Sequence, residues 1–449
     1  MYRQAEFEML LELLAGRDFR ALKEKLSEMH EADVASFIQE HAPEKAAVVF
    51  RLLPKPQAAE VFSLLDGDQR RALVAAFTDQ EVADIIEELY TDDAVDFLEE
   101  LPANAVSRIL GLATPDTRQV LNRFMQYDED SAGGIMTPEH VMLAASCTVA
   151  EAIRHIRTCG ADRETIYTCY ITDATRKLIG VVSTRRLLLS DDHQLVSDIM
   201  EKNVISVNVD MDQEEVAAIF MDYDFMALPV VDKESRLVGI VTFDDVLDVV
   251  RDEATEDIEL MGGMLPSEKP YMKTSAFSLA GHRMVWLIVL MLSGMINGVI
   301  LEHYEQAFIA LPILVSFIPM LTDSGGNAGS QSSTIVIRSM ALGEILPRDI
   351  GRVLWKEFRV GIIAGVVLSV VNFLRIFFTY QRNVALAATV SLALLAIVVV
   401  AKVLGAVLPI LAKKTKLDPA IMASPLITTI ADALGLVIYF NVAMALLNL

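Results

Sequence analysis

The chain is poor in cysteine and tryptophan and, through its first 281 residues, in positive charge. Its three cysteines, Cys147, Cys159 and Cys169, fall in one short stretch at spacings that fit neither a CxxC metal pair nor a disulfide framework. They read as reduced, buried cytosolic thiols. The N-terminus, MYRQAEFEMLLELL, has neither the basic start nor the uninterrupted apolar core of a secretory leader, so the front part is expected to stay in the cytoplasm. No GxxxxGK[ST] loop is present, which removes the usual phosphate cradle for ATP hydrolysis. Neither pump chemistry nor an enzyme is expected.

The shortage of bases is uneven. Residues 282–449 hold eight acids and twelve Lys/Arg, which leaves 53 acids and 26 bases for residues 1–281. The front part therefore carries about −27 and the back part +4. So acidic a soluble region repels nucleic acid and anionic head groups and attracts cations.

From residue 1 to about 130 the sequence is a succession of short amphipathic units: DVASFIQEH, KAAVVFRLLP, QAAEVFSLLD, RRALVAAFT, EVADIIEEL, DAVDFLEEL, AVSRILGLA. Apolar residues recur at i, i+3, i+4, and turn signals such as Pro54, Gly67 and Pro102 close several units. Units of this size bury their apolar faces by stacking, which predicts an α-helical solenoid. Next comes a repeat. GGIMTPEHVMLAASCTVAEAIRHI matches SDIMEKNVISVNVDMDQEEVAAIF, and both lead to a β-rich end, LIGVVSTRRLL and LVGIVTFDDVL. Met136 and Met200 are 64 apart but Gly180 and Gly239 are 59 apart, so the second copy has a loop five residues shorter. The twice-written pattern resembles a tandem pair of α/β cystathionine β-synthase (CBS) domains, regulatory modules that commonly bind adenosine nucleotides. The ribose-holding Ser/Thr-x-x-Asp of that family stands in the second copy as Thr242 to Asp245. The first copy reads Ser183 to Arg186, which leaves ATP binding an open alternative.

After the second copy, DDVLDVVRDEATEDIELMGG predicts one helix ending at Gly262-Gly263. Leu247, Val250, Ala254, Ile258 and Met261 form one stripe; Asp245, Asp248, Asp252, Glu256 and Glu259 form another. Like charges at i, i+4 destabilise a helix by a few tenths of a kcal/mol per pair. Divalent cations would neutralise them; a solvated acidic face is the plainer reading.

Five spans then follow: Met284–Leu301, Ala307–Met340 with an interruption, Ile350–Thr379, Val384–Ala412 and Ala420–Leu449, each near or above the ~20 residues a helix needs to cross the hydrocarbon. Basic residues crowd the second-to-third connection (Arg338, Arg348, Arg352, Lys356, Arg359) and the fourth-to-fifth (Lys413, Lys414, Lys416). The positive-inside rule therefore puts the N-terminal region in the cytoplasm and the C-terminus outside a cell membrane crossed several times.

Chemistry is expected at two places in the spans. Asp432 is the one acid in the last span, and an intramembrane carboxylate usually faces a bundle interior or a wet path. A protonated aspartate bonded to a neighbouring helix is the alternative. In the second span, PMLTDSGGNAGSQSST is too polar and glycine-rich for lipid, so irregular backbone lining the same path is expected there, with Asn327, Gln331 and the hydroxyls supplying oxygens. Asp323 is a second carboxylate near the membrane. An ion path on a two-fold axis would present two copies of Asp432, and two carboxylates around a hydrated cation suit Mg²⁺, which gives up its waters reluctantly.

The order of parts, with the GGNAGSQ and SPLITTIAD stretches, resembles the MgtE magnesium channels over essentially the whole chain. The resemblance implies a multi-domain membrane protein: helical solenoid N-domain 1–130, CBS domains 131–196 and 197–250, acidic connecting (plug) helix and link 251–282, and a five-helix transmembrane pore domain 283–449. It implies a homodimer with its pore between subunits, Asp432 as pore carboxylate, and Thr428 and Ser424 one and two turns before it. It also implies that cytosolic Mg²⁺ holds the channel shut through Glu60, Asp92, Asp96, Asp212, Glu214, Asp224, Asp245, Asp248, Glu253, Glu256 and Asp257, with Asp418 meeting the plug. Proton- or Na⁺-coupled divalent-cation exchange, and a membrane-anchored sensor that conducts nothing, are the alternatives.

Overall fold

A computed structural model describes residues 2–267, 271–272, 274–415, 417–422 and 424–447, with the side chains at 2–5, 43, 44, 308 and 424 outside that description. The chain divides into two compact units, residues 1–249 and 250–449.

The first unit opens with helices α1 (Tyr2–Ala15), α2 (Phe19–Ser27), α3 (Glu31–Gln39), α4 (Pro43–Phe50), α5 (Lys55–Ser63), α6 (Gly67–Ala76), α7 (Asp79–Ile86), α8 (Thr91–Glu99), α9 (Ala103–Leu112) and α10 (Pro115–Phe124). Each short amphipathic segment is a helix, stopped where a capping side chain or a proline meets the next start. Asp66 accepts from Gln69 N, and Thr78 with Glu81 forms a capping box that satisfies two otherwise orphaned donors. No helix this short is stable alone, so the stacked apolar faces hold the solenoid. Phe62 and Phe97, both fully buried, meet edge to face at 4.9 Å.

The repeat forms two matching three-stranded sheets. In the first, β1 (Val141–Ala144) runs parallel to β2 (Thr168–Thr172), which pairs antiparallel with β3 (Leu178–Ser183); α11 (Val149–Cys159), α12 (Thr184–Leu188) and α13 (Val196–Ile199) complete it. In the second, β4 (Val207–Asn208), β5 (Ala227–Val231) and β6 (Leu237–Thr242) repeat the order around α14 (Gln213–Tyr223). The copies interlock through the glycines and methionines that mark the repeat. A Cβ at Gly180 would lie 2.7 Å from Met200 Sδ, and one at Gly239 3.0 Å from Met136 Sδ. Each glycine is the space its partner's thioether fills. Of the cysteines only Cys169 is buried; Cys147 and Cys159 are half-buried, because they flank the sheet core rather than enter it.

Helix α15 (Phe243–Met261) begins one residue before the expected start at Asp244 and ends as expected, at Gly263 in the left-handed region (φ +68), where Met264 N reaches back to Glu259 O.

The second unit continues with α16 (Ala276–His303), α17 (Glu305–Ala310), a 3₁₀ turn (Pro312–Phe317), α18 (Ile318–Ala341), α19 (Ile350–Thr379), α20 (Val384–Lys414) and α21 (Ser424–Leu447). Four segments among the described residues are long and apolar enough to cross a bilayer: Ala276–His303, Pro347–Thr379, Val384–Lys414 and Pro419–Leu447. The polar stretch in α18 corrects an expectation. PMLTDSGGNAGSQSST is uninterrupted helix, and the irregular backbone lies before it, in the 3₁₀ turn. Glycine disfavours helix by propensity, but here packing decides. Cβ atoms at Gly325, Gly326 and Gly329 would meet Ile397 Cγ2 at 2.8 Å, Thr428 Cγ2 at 2.8 Å and Ile427 Cγ2 at 2.6 Å. The three glycines form the face that α20 and α21 close upon.

Candidate functional sites

In the membrane unit, the buried face of α18 (Gly325, Gly326, Ala328, Gly329, Ser332, Ser333) leaves a second face outward. Asp323, Asn327, Gln331, Thr334 and Arg338 follow one another at i+4, i+4, i+3, i+4 and are all exposed. A polar stripe this long is not stable against lipid, so it faces water or protein. Asp432 sits half-buried on α21, with Asp323 the charged neighbour that acts on it. Its Oδ1 is buried and has no hydrogen-bond partner among the described residues. A buried oxygen of this kind is costly unless something supplies a proton or positive charge. Thr428, one turn earlier, lays its methyl on Gly326. Ser424 begins α21, and its side chain lies outside the described residues. Asp418 is a local cap: its Oδ1 accepts from Ala420 N at 2.7 Å.

In the cytosolic unit, α8 and the start of α15 bring carboxylates together. Burial raises Asp92 well above the ordinary aspartate range, helped by the charges of Asp245, Asp93 and Glu164. Burial and Asp245 lift Asp93 to about 7, burial and Asp93 lift Asp96 to about 7, and burial lifts Asp245 to about 6 against the pull of its bond from Thr242. Glu164, on the loop before β2, reaches about 8 through burial and the charges of Asp245 and Asp244. Glu139 joins them, accepting from the hydroxyls of Thr91, at 2.7 Å, and Thr137. Exposed Glu60 adds its charge to Asp93 and Tyr90. The sequence reading found Asp92, Asp96, Asp245 and Glu60 here and missed Asp93, Glu139 and Glu164. The doubled acid of TDDAVD was the available signal for Asp93; the two glutamates join only through the fold.

Elsewhere the residues serve local structure as well. Asp212 caps α14, its Oδ1 taking Glu214 N at 2.9 Å, and Asp224 ends that helix in the left-handed region. Asp248 and Glu256 are exposed on α15, and Glu253 and Asp257 half-buried. Among the described residues no three His, Cys, Asp or Glu side chains stand at the spacing of a direct metal cage. Wider spacing is what a cation held through its own waters requires.

The fold and these sites together define a membrane cation transporter carrying a helical and CBS-type cytosolic module. Comparison with known proteins agrees part by part. Residues 29–130 match the MgtE intracellular N domain, 132–191 and 196–252 the CBS domain, and 318–442 the MgtE family described as divalent cation transporters. The chain is 40% identical over 443 residues to the magnesium transporter MgtE of Thermus thermophilus, covering 98% of both chains. It is 32% identical over 442 residues to that of Enterococcus faecalis, covering 98% of this chain and 97% of the relative. Its structure is similar to the cytosolic domain of the Mg²⁺ channel MgtE in complex with ATP, with TM-score 0.52, 43% identity, and coverage of 54% of this chain and 98% of that one. It is also similar to the soluble part of a magnesium transporter, with TM-score 0.54, 34% identity, and coverage of 56% and 99%. The chain belongs to the MgtE family of magnesium transporters. The family is one of transporters and not of enzymes.

Proposed function

We propose that this transporter is a passive Mg²⁺ channel, a homodimer whose path runs between subunits past Asp432 and the polar stripe of α18. The partnerless buried oxygen of Asp432 carries the reading. Two symmetry-related carboxylates would hold a hydrated Mg²⁺ through its waters, with Thr428, Ser424 and Asn327 as neighbouring oxygens. At 100 mV a dication gains about 4.6 kcal/mol on entry, so no coupled ion or ATP hydrolysis is required.

Closure, in this reading, comes from cytosolic Mg²⁺ at the acidic residues of the N-domain, the CBS pair and the plug helix: Glu60, Asp92, Asp96, Asp212, Glu214, Asp224, Asp245, Asp248, Glu253, Glu256 and Asp257, with Asp418 at the cytoplasmic start of the last span. Without the ion these carboxylates repel; with it the closed arrangement gains population. ATP binding is proposed at the second CBS copy alone, where the Thr242 hydroxyl donates to Asp245, since Arg186 replaces the ribose-binding carboxylate of the first. The N-terminal region lies in the cytoplasm and the C-terminus outside.

The test is Asp432→Ala in a strain lacking other Mg²⁺ transporters and in proteoliposomes. Uptake is expected to be abolished, and the wild-type flux to follow voltage while ignoring proton and Na⁺ gradients. Unchanged uptake in the variant defeats the pore assignment.

A further inference from the structure

Helix α20 carries a single charge between Val384 and Leu411, at Lys402, and the side chain is only 7% exposed. A buried cation inside a span needs oxygens or a counter-charge. Its Nζ lies 3.4 Å from Gln331 Oε1, 3.4 Å from Ser332 Oγ and 3.5 Å from the Ala328 carbonyl oxygen, all on α18. The Ser332 hydroxyl donates onward to Glu357 Oε2 on α19 at 2.6 Å. The junction leaves little room to rearrange. A Cβ at Gly405 would run into the Gly329 carbonyl, and one at Gly361 would lie 3.1 Å from Val399 Cα and 3.7 Å from Lys402 Cβ.

An ammonium has three donors and no acceptor, so the Gln331 amide must turn its carbonyl oxygen toward Lys402. What remains for the outward side of Gln331, in the middle of the exposed stripe, is the amide NH₂. At that level the stripe offers donors, with the Lys402 ammonium directly behind them and the Glu357 carboxylate one hydroxyl further on. We propose that Lys402 is a positioning and specificity-determining residue of the ion path: by holding the Gln331 carbonyl inward it denies a passing cation an inner-sphere oxygen there. A cation that keeps its water shell, as Mg²⁺ does, loses nothing at such a wall. One that sheds water readily, such as Ca²⁺ or K⁺, finds no ligand to replace it. The inference rests on the reading that the α18 stripe lines the path.

The experiment uses the full chain in proteoliposomes without Mg²⁺ on the cytosolic face, so that closure does not intervene, with Mg²⁺, Ca²⁺ and K⁺ fluxes read on the same vesicles. Lys402→Met is expected to raise the Ca²⁺:Mg²⁺ and K⁺:Mg²⁺ flux ratios at least fivefold, and Lys402→Arg to stay within twofold of the parent. In Lys402→Met/Gln331→Leu, which has no amide to turn, the ratios are expected to return to the parent values. A purely structural lysine would lower all fluxes together and leave the ratios alone. Ratios within twofold in folded Lys402→Met, or a shift that persists in the double variant, overturns the proposal. Should Lys402→Met not assemble, Lys402→Leu, which likewise has no donor for the Gln331 carbonyl, carries the same expectation and the same refutation. Asp432→Ala in parallel separates the two readings: if it conducts, the path itself is misplaced, whatever Lys402 does.

Discussion

Replacing Glu164 by Gln isolates the electrostatic cost of the cytosolic carboxylate cluster. The buried Oε2 of Glu164 has no hydrogen-bond partner among the described residues, so the amide removes charge without breaking a bond there. Burial and the charges of Asp245, Asp244 and Asp93 lift this carboxyl from 4.5 to about 8. Because the folded value lies above the unfolded one, the folded state holds the extra proton, and stability falls as pH rises between the two. The cost is absent below about pH 4.5 and complete above about pH 8. At full burial a change of this size corresponds to about 5 kcal/mol. Glu164 keeps part of its side chain in water, and screening leaves about 2 kcal/mol. Glu164→Gln is therefore expected to raise the melting temperature of the metal-free cytosolic unit by about 4–8 °C at pH 8 and by almost nothing at pH 5. Thermal melting of the purified chain in detergent, followed by tryptophan-independent far-ultraviolet circular dichroism across that range, reads the difference directly. Mg²⁺ at millimolar concentration should stabilise the parent more than the variant at pH 8. An equal shift at both pH values, or destabilisation at pH 8, would refute the argument that these carboxylates strain one another.

Two further changes test packing and nucleotide binding. Gly405→Ala puts a methyl into the Gly329 carbonyl, a backbone atom with no rotamer to change, and is expected to cost about 1–3 kcal/mol, measured as a lower melting temperature of the membrane unit. Gly294→Ala, where an added Cβ would meet no described atom outside its own stretch of helix within 4 Å, is the matched control for that measurement. Calorimetric titration of ATP is expected to give one site per chain, lost in Asp245→Ala; two sites per chain would show that Arg186 does not disable the first copy.

Much of the cytosolic unit was legible because its signals are local. The turn signals Pro54, Gly67 and Pro102 were readable within a few positions, and each stands where a helix begins, at the N-caps of α5 and α9 and the first residue of α6. Met136, Met200, Gly180 and Gly239 were visible as repeat markers, and the fold adds that each methionine fills the other copy's glycine. The second span is interrupted as expected, but the place of the break was misread, because glycine content signals a break only when nothing packs against it, and the packing partners, Ile397, Ile427 and Thr428, lie about seventy to a hundred residues away. Glu139, Glu164 and Lys402 escaped for the same reason. Each is an ordinary charge in sequence and becomes unusual only beside residues distant in the chain. A single lysine in an otherwise apolar run was nonetheless a readable sign.

The energetics of the proposed closure also explain why no compact metal cage stands among the described residues. Relieving about 2 kcal/mol of repulsion moves a two-state equilibrium about thirtyfold. Turning a population from 1:99 to 99:1 takes about 5.5 kcal/mol. One carboxylate relieved to the extent worked out for Glu164 falls short, whereas three such increments suffice, and Asp92, Asp93 and Asp245 stand beside it with their own raised values. Asp212, Glu214 and Asp224, at the two ends of α14, and Glu253, Glu256 and Asp257 on α15, are two further acidic groups of comparable charge. A switch assembled from several weak, water-separated cation sites releases its ions when cytosolic Mg²⁺ falls. A single tight cage would stay filled, and the proposed channel would remain shut when the cell most needs the ion.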